Sequence, residues 1–550
     1  MAETLTQKST PSWYSTNTGI YSALNTPRTL PTNPTMDLVT FLFSHSHGGE
    51  TALVDASSGL SISYQELQEL VMSMASGLQS IGVSKGHLVL LLLPNTLLLP
   101  VILLGALSVG AVVTAMNPLS SREEIKKNVG HGNSVLAFAF LENMKKIDGF
   151  GFQVIAVPDN HAGGFVSSDF NAFFSLLYCD PRASLRPEIR QTDTAAILYS
   201  SGTSGASKGV VLTHANLIAM VELFVRFEAS QYDREPCENV YLAAIPMFHV
   251  YGMSLLAIGL LSLGSKVVVM NKFGVEEAVN VIDTFKVTHF PVVPPILAAL
   301  TQAKAAGGCE LKSLIQVSSG AAPLSRKIIH EFLDAFPHVD LIQGYGMTES
   351  TAVGTRGFNS KSLKKYTSVG LLAPNMQAKV ISCKTGSCLP PGSSGELLLR
   401  GPAIMKGYLH DETATRSAID EDGWLRTGDI AYFDHDGYLH VVDRLKDAIK
   451  YKGFQIAPAD LEAVLISHPE VLDVAVTSAE DEEAGEIPVA FIVRAPGSAI
   501  SSSEIIEYTA KRVTPYKKVR KVVFVQSIPR TPAGKILKRV LKNHNGGSKL

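Results

Sequence analysis

The sequence predicts an α/β protein: a large N-terminal domain of doubly wound mixed sheets that carries a small β-barrel-like subdomain, followed by a small α+β C-terminal domain. Three changes of pattern along the chain lead to this prediction. From Leu53 to about Asp443, short apolar strands alternate with helical stretches, which is typical of parallel sheets with helices on both faces. After Pro374 the chain becomes turn-rich and β-like. Beyond Lys446 a compact α+β pattern begins.

The alternating region contains the clearest individual elements. Strands are predicted at residues 88–93, 266–270, 287–293, 313–318 and 339–343, and helices at residues 101–109, 275–285 and 325–336. Ligands of parallel sheets bind at the carboxyl ends of the strands. Two glycine-bearing segments, Ser319-Gly320-Ala321 and Gly344-Tyr345-Gly346, fall at such ends.

The later segments divide into two further units. Short strands are predicted at residues 396–400 and 438–442, and then at 471–476 and 489–493 in the C-terminal part. A helix is predicted to start at Pro458 and to stop before Pro469, and another follows Ser503. We therefore expect a poorly ordered lead-in (1–36), an N-terminal domain (37–445, β-rich at about 375–445), a mobile C-terminal domain (446–545) and a short tail (546–550).

Composition excludes several classes of protein. The 550 residues are 46% apolar and carry a formal net charge of -2, so no overall charge argues for nucleic acid or an acidic substrate. The stretch 511–542 is basic and has no Asp or Glu; it is either a solvated face or a surface that meets polyphosphate, and sparse aromatic residues argue against nucleic acid. Proline and glycine interrupt the apolar run 88–115, so no transmembrane segment is expected.

Cysteine usage and the chain ends indicate a compartment. The five cysteines are scattered without metal-binding spacing, which indicates a reducing environment. The polar start lacks the apolar core of a secretory signal, and a plastid transit peptide is the alternative. The last residues, Ser548-Lys549-Leu550, match the tripeptide that the peroxisomal import receptor recognises, so we expect a peroxisomal location.

A loop at residues 200–209, with the sequence SSGTSGASKG, is rich in hydroxyl groups and glycine. Glycines let backbone N–H groups approach phosphate oxygens, while hydroxyls and a lysine add donors. The loop is not a Walker A motif, because Gly209-Val210-Val211 continues as a strand. A flexible hairpin turn is the alternative interpretation. The candidate phosphate-binding residues are Ser201, Gly202, Thr203, Ser204, Gly205 and Lys208.

Four further motifs follow this loop in order. They are Tyr345-Gly346-Met347-Thr348-Glu349, Trp424-Leu425-Arg426-Thr427-Gly428-Asp429, Asp443-Arg444-Leu445-Lys446-Asp447 and Pro532-Ala533-Gly534-Lys535. Together the five motifs resemble those of adenylate-forming, acyl-activating enzymes, and most closely those of plant peroxisomal 4-coumarate:CoA ligase-like acyl-CoA synthetases. The resemblance implies a ligase that uses ATP, Mg²⁺ and coenzyme A to make an acyl adenylate and then an acyl-CoA. A luciferase-like oxygenase and a binding protein without catalysis are the alternatives.

The resemblance also implies roles for single residues at the nucleotide. Asp429 would accept hydrogen bonds from the ribose, and Glu349 is the kind of hard oxygen ligand that holds Mg²⁺ beside ATP phosphates. The alternative interpretations are that Asp429 is an ordinary aspartate of a turn and that Glu349 is a surface glutamate without a ligand. Besides the phosphate loop, the residues implied to bind ATP or AMP are Gln343, Gly344, Thr348, Asp429, Arg444 and Lys446.

Two lysines suggest two half-reactions. Lys535 resembles the lysine that stabilises charge during adenylation, and Lys450 with Gln455 resembles the face presented for thioester formation. The C-terminal domain would swing between the two arrangements about Lys446 or Asp447. Solvation is the ordinary alternative for an isolated lysine. The residues implied to meet coenzyme A are Lys272, Lys452 and Gly453.

The segment 246–252 resembles the part of the family that carries the acyl substrate. His249, a catalytic candidate, and Tyr251 would lie beside the reacting carboxyl group, although a core histidine is the alternative. Three positions depart from the sequences of the hydroxycinnamate ligases. Leu255 replaces a small polar residue, Ser318 replaces a methionine, and Ala352 replaces a proline. We therefore expect a fatty acid or a jasmonate-precursor-type oxylipin acid that enters β-oxidation, with 4-coumarate as the alternative. The remaining candidates at this pocket are Ala321, Gly346 and Val353.

Overall fold

The structure is a computed structural model that describes residues 13–130, 133–159, 167–183, 186–200, 207–359, 363–451, 454–481, 484–531 and 534–544. Within these residues, two large mixed sheets and a smaller antiparallel sheet form the N-terminal part, and a further sheet forms the C-terminal part. This is the α/β architecture, with a small α+β C-terminal domain, that the sequence predicts.

The first large sheet contains seven described strands, and its central strands run parallel. At one edge, Thr194–Ser200 and Lys208–Thr213 pair antiparallel, so the ends of a hairpin flank the predicted phosphate loop. Residues 201–206 lie outside the described residues. In spatial order the strands are Gly407–Tyr408, Lys208–Thr213, Thr194–Ser200, Val112–Ala115, Leu88–Leu92, Ser134–Ala139 and Gln153–Ala156.

The second large sheet contains nine described strands, of which the six from Asp340–Tyr345 to Thr51–Asp55 are parallel neighbours. Most of these strands are buried runs of apolar residues, as expected for a sheet covered on both faces, while Gln316–Ser319 is buried but largely polar. In spatial order they are Leu371–Leu372, Thr355–Arg356, Asp340–Tyr345, Gln316–Ser319, His289–Val292, Val240–Ala243, Lys266–Val269, Thr51–Asp55 and Ser61–Ser63.

Helices cover both sheets, and their ends follow local signals. Ser63 and Glu66 form a reciprocal capping box at the start of Tyr64–Ser80, which supplies two otherwise unpaired N–H groups with acceptors. Among the described residues, no helix combines the length and the apolar character needed to cross a membrane. The α-helices of the N-terminal part are Leu38–Phe43, Tyr64–Ser80, Leu98–Ser108, Arg122–Val129, Leu141–Met144, Asn171–Leu177, His214–Met220, Phe227–Ala229, Val250–Gly252, Val275–Phe285, Pro294–Ala305, Arg326–Ala335 and Glu412–Ala418. Two π-helical segments, Val221–Arg226 and Met253–Ile258, and four 3₁₀ turns, Ser168–Phe170, Pro236–Glu238, Gly259–Ser262 and Thr348–Ser350, complete this set.

The antiparallel sheet includes residues near the start of the chain, for which the sequence predicts poor order. Residues 13–36 do not form a poorly ordered lead-in, because Tyr14–Ser15 and Ile20–Ser22 add two strands to the edge of this sheet. Tyr21 is fully buried, and its ring stacks on that of Phe433 at a centroid distance of 4.4 Å. The burial of this aromatic surface offsets the loss of chain entropy. The strands, in spatial order, are Tyr14–Ser15, Ile20–Ser22, Gln377–Ile381, Gly395–Arg400, Leu425–Phe433 and Leu439–Arg444.

The C-terminal part has its own hydrophobic core. Ile449, Leu461 and Ile492 are fully buried in this core, and the chain enters it after the turn at residues 445–447. The Asp443 carboxylate accepts a hydrogen bond of 3.0 Å from the Ala459 N–H group, which links the antiparallel sheet to the first helix beyond the turn. The strands are Ile449–Tyr451, Phe454–Ile456, Val471–Asp481, Gly485–Arg494 and Lys521–Phe524, and the helices are Pro458–Ile466, Ser502–Ala510 and Lys538–His544.

Candidate active site

A cleft of about 930 Å³ lies where strand ends of the large sheets meet the antiparallel sheet and a loop of the C-terminal part. It collects most of the predicted site residues that the structure describes. Those that line it are Lys208, His249, Tyr251, Ala321, Gly344, Gly346, Thr348, Glu349, Ala352, Arg444, Lys446 and Lys535.

Other predicted residues lie beside the cleft or away from it. Gln343, Leu255, Ser318, Val353 and Asp429 are buried but are not among the lining residues. Lys272 and Lys450 are exposed and do not line the cleft. The predictions on Ser201, Gly202, Thr203, Ser204, Gly205, Lys452 and Gly453 and on the side chain of Gln455 fall outside the described residues, as do those on Ser548, Lys549 and Leu550.

Glu349 is the buried carboxylate of the cleft. It follows the strand Asp340–Tyr345 in a 3₁₀ turn, and only 4% of its surface is exposed. Oε1 accepts hydrogen bonds from the Ser200 hydroxyl at 2.8 Å and from the Tyr408 hydroxyl at 3.1 Å. Among the described residues no cationic side chain pairs with it. A buried carboxylate without a cationic partner is a suitable oxygen ligand for a metal ion, so Glu349 is the candidate ligand for Mg²⁺ in this cleft.

Lys208 lies on the same side of the cleft. Its Nζ atom is 4.8 Å from the centre of the Tyr408 ring, which is a cation–π contact. The hydroxyl group of the same tyrosine donates a hydrogen bond to Glu349. Within the described part of the chain Lys208 forms no ion pair. Its position at the end of the hairpin leaves the charge available for a phosphate group.

The turn after the strand Asp340–Tyr345 has an unusual backbone. Thr351 and Ala352 both have positive φ values, of 52° and 64°, a region that side chains other than glycine rarely occupy. Gly346 packs so closely on this turn that a Cβ atom there would lie 2.2 Å from the Ala352 carbonyl oxygen. Only glycine fits at position 346, and the close approach keeps the backbone next to the cleft.

Asp429 and Arg444 form the polar group at the opposite side. They face each other across the pair of strands Leu425–Phe433 and Leu439–Arg444, and Arg444 Nε lies 3.4 Å from Asp429 Oδ1. The Tyr345 hydroxyl donates a hydrogen bond of 2.6 Å to Oδ2. Burial raises the pKa of Asp429, and the nearby Arg444 charge opposes that rise. Tyr345 stands within one of the motifs, but the sequence indicates no role for it, since its partner lies 84 residues further along the chain.

Lys535 enters the cleft on a tight turn of the C-terminal part. The Thr531 hydroxyl accepts a hydrogen bond of 3.1 Å from the Lys535 N–H group. Gly534 has φ of 77°, and a Cβ atom there would be 3.1 Å from Cδ of Pro295. Burial, together with the positive charges of Arg444 and Lys446, lowers the pKa of Lys535 to about 8. The site therefore concentrates cationic groups that no carboxylate fully neutralises.

The acyl end begins at His249. Burial, with a smaller effect of the Lys535 charge, lowers the pKa of His249 to about 4, so its ring is neutral at physiological pH. The Tyr251 hydroxyl donates a hydrogen bond of 3.3 Å to the Ser318 carbonyl oxygen, so Ser318 contacts a residue of this wall without lining the cavity itself. Leu255 is buried in the π-helical segment Met253–Ile258.

This arrangement suits an anionic nucleotide with its metal. Three cations, Lys208, Arg444 and Lys535, surround the same space as the Glu349 carboxylate. Within the described residues no cluster of three metal-binding side chains exists, so phosphate oxygens and water would supply the other ligands of Mg²⁺. A group that needs several cations and one metal-binding carboxylate is a polyphosphate.

Known proteins resemble this chain over nearly its whole length. Residues 43–409 match the AMP-binding enzyme family, and residues 460–535 match the AMP-binding enzyme C-terminal domain. The 4-coumarate–CoA ligase-like 6 protein of Arabidopsis thaliana is 58% identical over 535 residues, which cover 97% of this chain and 94% of that protein. Peroxisomal OPC-8:0-CoA ligase 1 of the same plant is 42% identical over 541 residues, with coverage of 97% and 98%.

A solved structure carries the same fold. O-succinylbenzoate coenzyme A synthetase from Bacillus subtilis, in complex with ATP and magnesium ion, has a TM-score of 0.77 and 25% identity and covers 92% of this chain and 98% of its own. The family and the class of enzyme that the five motifs predict are thereby confirmed. The chain belongs to the AMP-binding family of adenylate-forming enzymes, in which it is an ATP-dependent, AMP-forming acid–CoA ligase related to the plant 4-coumarate–CoA ligase-like proteins.

Proposed function

We propose that this ligase activates a fatty acid or a jasmonate-precursor-type oxylipin acid for β-oxidation in the peroxisome. The observation that carries the proposal is the apolar character of the wall beyond His249. Phe224, Phe248, Val250 and Tyr251 line the cleft there, and Leu255 is buried behind them. A wall of this kind binds a hydrocarbon chain by removing its surface from water.

Adenylation needs positive charge at the point where the carboxylate of the acid attacks the α-phosphate. Both reactants are anionic, and charge accumulates on the phosphoryl oxygens as pyrophosphate leaves. Lys535 is the cation that reaches this point, next to Arg444, while Lys208 meets the phosphates from the other side. The neutral His249 ring contributes orientation rather than charge. Glu349 would hold Mg²⁺, which would neutralise part of the phosphate charge.

Thioester formation would use another orientation of the C-terminal domain. Lys450 lies opposite Gln455 in the hairpin of Ile449–Tyr451 and Phe454–Ile456, and it is exposed while Lys535 occupies the cleft. A rotation about Lys446 or Asp447 would exchange the two lysines, and coenzyme A would then meet Lys272, Lys452 and Gly453. The placement of one lysine inside and the other outside supports this division of work.

The peroxisomal part of the proposal is supported by Ser548-Lys549-Leu550 and by the name of the relative that is a peroxisomal OPC-8:0-CoA ligase. Removal of the three residues should leave activity unchanged and move a fluorescent fusion to the cytosol. A truncated fusion that still enters peroxisomes would contradict the targeting proposal.

The experiment that tests the substrate is a panel of carboxylic acids measured by ATP–pyrophosphate exchange and by acyl-CoA formation. We expect medium- to long-chain acids and cyclic oxylipin acids to give the highest kcat/KM. 4-Coumarate is the alternative substrate, favoured by the name of the relative at 58% identity. A clear preference for 4-coumarate over every aliphatic acid would refute the proposed substrate class while leaving the ligase class intact.

A further inference from the structure

The apolar acyl end contains one buried charged pair. Arg356 lines the cleft although only 5% of its surface is exposed. Its Nε atom lies 2.7 Å from Glu228 Oε2, and Nη2 donates a hydrogen bond of 2.8 Å to Oε1. The guanidinium carbon lies 5.0 Å from the centre of the Phe224 ring, which is itself part of the cleft wall. The pair therefore sits at the cavity and not in the distant core.

The third nitrogen of this guanidinium, Nη1, lies close to Gly344 in the wall of the cavity. A Cβ atom added to Gly344 would lie 3.2 Å from Arg356 Nη1, and Gly344 itself lines the cleft. Among the residues that the structure describes, none accepts a hydrogen bond from Nη1. Arginine has five N–H donors, and those of Nη1 are left for something that the protein does not supply.

A cavity built only for hydrocarbon gains nothing from such a pair. Burial of an arginine and a glutamate carries a large loss of hydration, and apolar side chains of similar size usually stabilise a core at least as well. Here the pair interrupts a wall of aromatic and aliphatic groups, and Tyr232, hydrogen-bonded to Gln316 at 2.8 Å, adds another polar group close to it. The arrangement resembles a hydrogen-bonding site within an apolar pocket.

We propose that Arg356 is a specificity-determining residue, whose Nη1 atom donates a hydrogen bond to a neutral oxygen on the acyl part of the substrate. This inference rests on the proposed function and narrows it, because it selects acids that carry a carbonyl or hydroxyl group over plain fatty acids. Glu228 already balances the charge of Arg356, so the site suits a neutral acceptor and not a second carboxylate.

The test compares acids that differ only in one oxygen. Pyrophosphate release is measured for wild-type enzyme with a plain saturated acid and with acids of the same length that carry one keto or hydroxyl group at successive positions. We expect at least one oxygenated acid to have a kcat/KM at least tenfold above that of the plain acid, since a site that hydrogen-bonds its substrate discriminates against an analogue without the group. The Arg356→Met substitution should remove this preference, mainly through KM for the oxygenated acid.

Two further variants keep the test decisive. Because Arg356→Met leaves Glu228 buried without a partner, the double variant Arg356→Met/Glu228→Gln is measured beside it. Arg226→Met is the matched control. Arg226 forms an ion pair of 3.1 Å with Glu222 within the π-helical segment Val221–Arg226, and it does not line the cleft. The Arg226→Met variant should keep the wild-type preference.

The possible failures can be told apart. A wild-type enzyme that turns over plain and oxygenated acids equally, or a double variant that retains the preference, would overturn the role of Arg356 while leaving the ligase proposal in place. An enzyme that activates no aliphatic or oxygenated acid at all would overturn the proposed substrate class, and the inference with it.

Discussion

Charge on Lys535 should set the upper pH limit of adenylation. The perturbation is a change of pH across the titration of this lysine, with Lys535→Arg as the matched variant. Burial and the charges of Arg444 and Lys446 lower the pKa of Lys535 from 10.5 to about 8. That difference corresponds to about 3 kcal/mol by which the cleft disfavours the charged form. The negative charge of a bound polyphosphate would stabilise the charged form of Lys535 and offset this free energy.

The direction of the pH effect follows from the sign of the shift. A lysine is charged below its pKa, so its charge is present at pH 7 and is lost as the pH rises through about 8. Its protonated fraction falls from about nine-tenths at pH 7 to about one-tenth at pH 9. The kcat/KM value reports the free enzyme, and it should therefore fall roughly tenfold between these two pH values. Arginine keeps its charge throughout, so the Lys535→Arg enzyme, whatever its absolute rate, should lose this fall.

The assay is release of pyrophosphate in the absence of coenzyme A, with saturating Mg²⁺ and the best acid from the panel. Omission of coenzyme A removes the titration of its thiol, which would otherwise raise the rate of the second step over the same range. A wild-type profile that stays flat to pH 9, or a Lys535→Arg profile with the same fall as wild type, would refute the reasoning.

Three further substitutions test other contacts of the cleft. Gly534→Ala places a methyl group against Pro295 on a backbone with φ of 77°. Pyrophosphate release should therefore fall about tenfold or more, while thioester formation from added acyl adenylate should stay unchanged. Equal loss in both assays would contradict this expectation. Glu349→Gln removes the buried carboxylate, and a titration of activity with Mg²⁺ should show that a severalfold higher concentration is needed; an unchanged curve would argue against a metal ligand. Tyr345→Phe removes the 2.6 Å hydrogen bond to Asp429, which contributes about 1–2 kcal/mol. KM for ATP should therefore rise roughly tenfold, with little change in thermal stability. A lower melting temperature with unchanged KM would indicate a purely structural contact.

Elements with local signals could be predicted from the sequence. The helix Val275–Phe285 has the predicted bounds, because glycine precedes it, two glutamates occupy its first turn and its apolar residues recur at helical spacing. The hairpin around the phosphate loop and the strand that carries Gly344 were likewise visible as apolar runs bounded by glycine. Each of the five motifs is likewise contiguous in the sequence, and each contributes at least one residue to the lining of the cleft.

Contacts between distant segments could not be predicted. Trp13 and Tyr21 stand in a polar stretch that looks disordered, and nothing local indicates that their rings pack against Phe433. The partner of Arg356 is Glu228, which lies 128 residues earlier in the chain, and a single arginine at the end of a short strand gives no sign of burial. Pairs of this kind depend on tertiary packing, which one sequence does not reveal.

The strands near the chain start have a consequence for biosynthesis. The Tyr21 hydroxyl donates a hydrogen bond of 2.7 Å to the Leu389 carbonyl oxygen, a partner 368 residues later. These strands can therefore pair with the antiparallel sheet only after its strands have been synthesised, and contacts of such long sequence separation form slowly. The rings of Trp13 and Tyr21 therefore lack this packing during synthesis until the segment that contains Leu389 and Phe433 has been made.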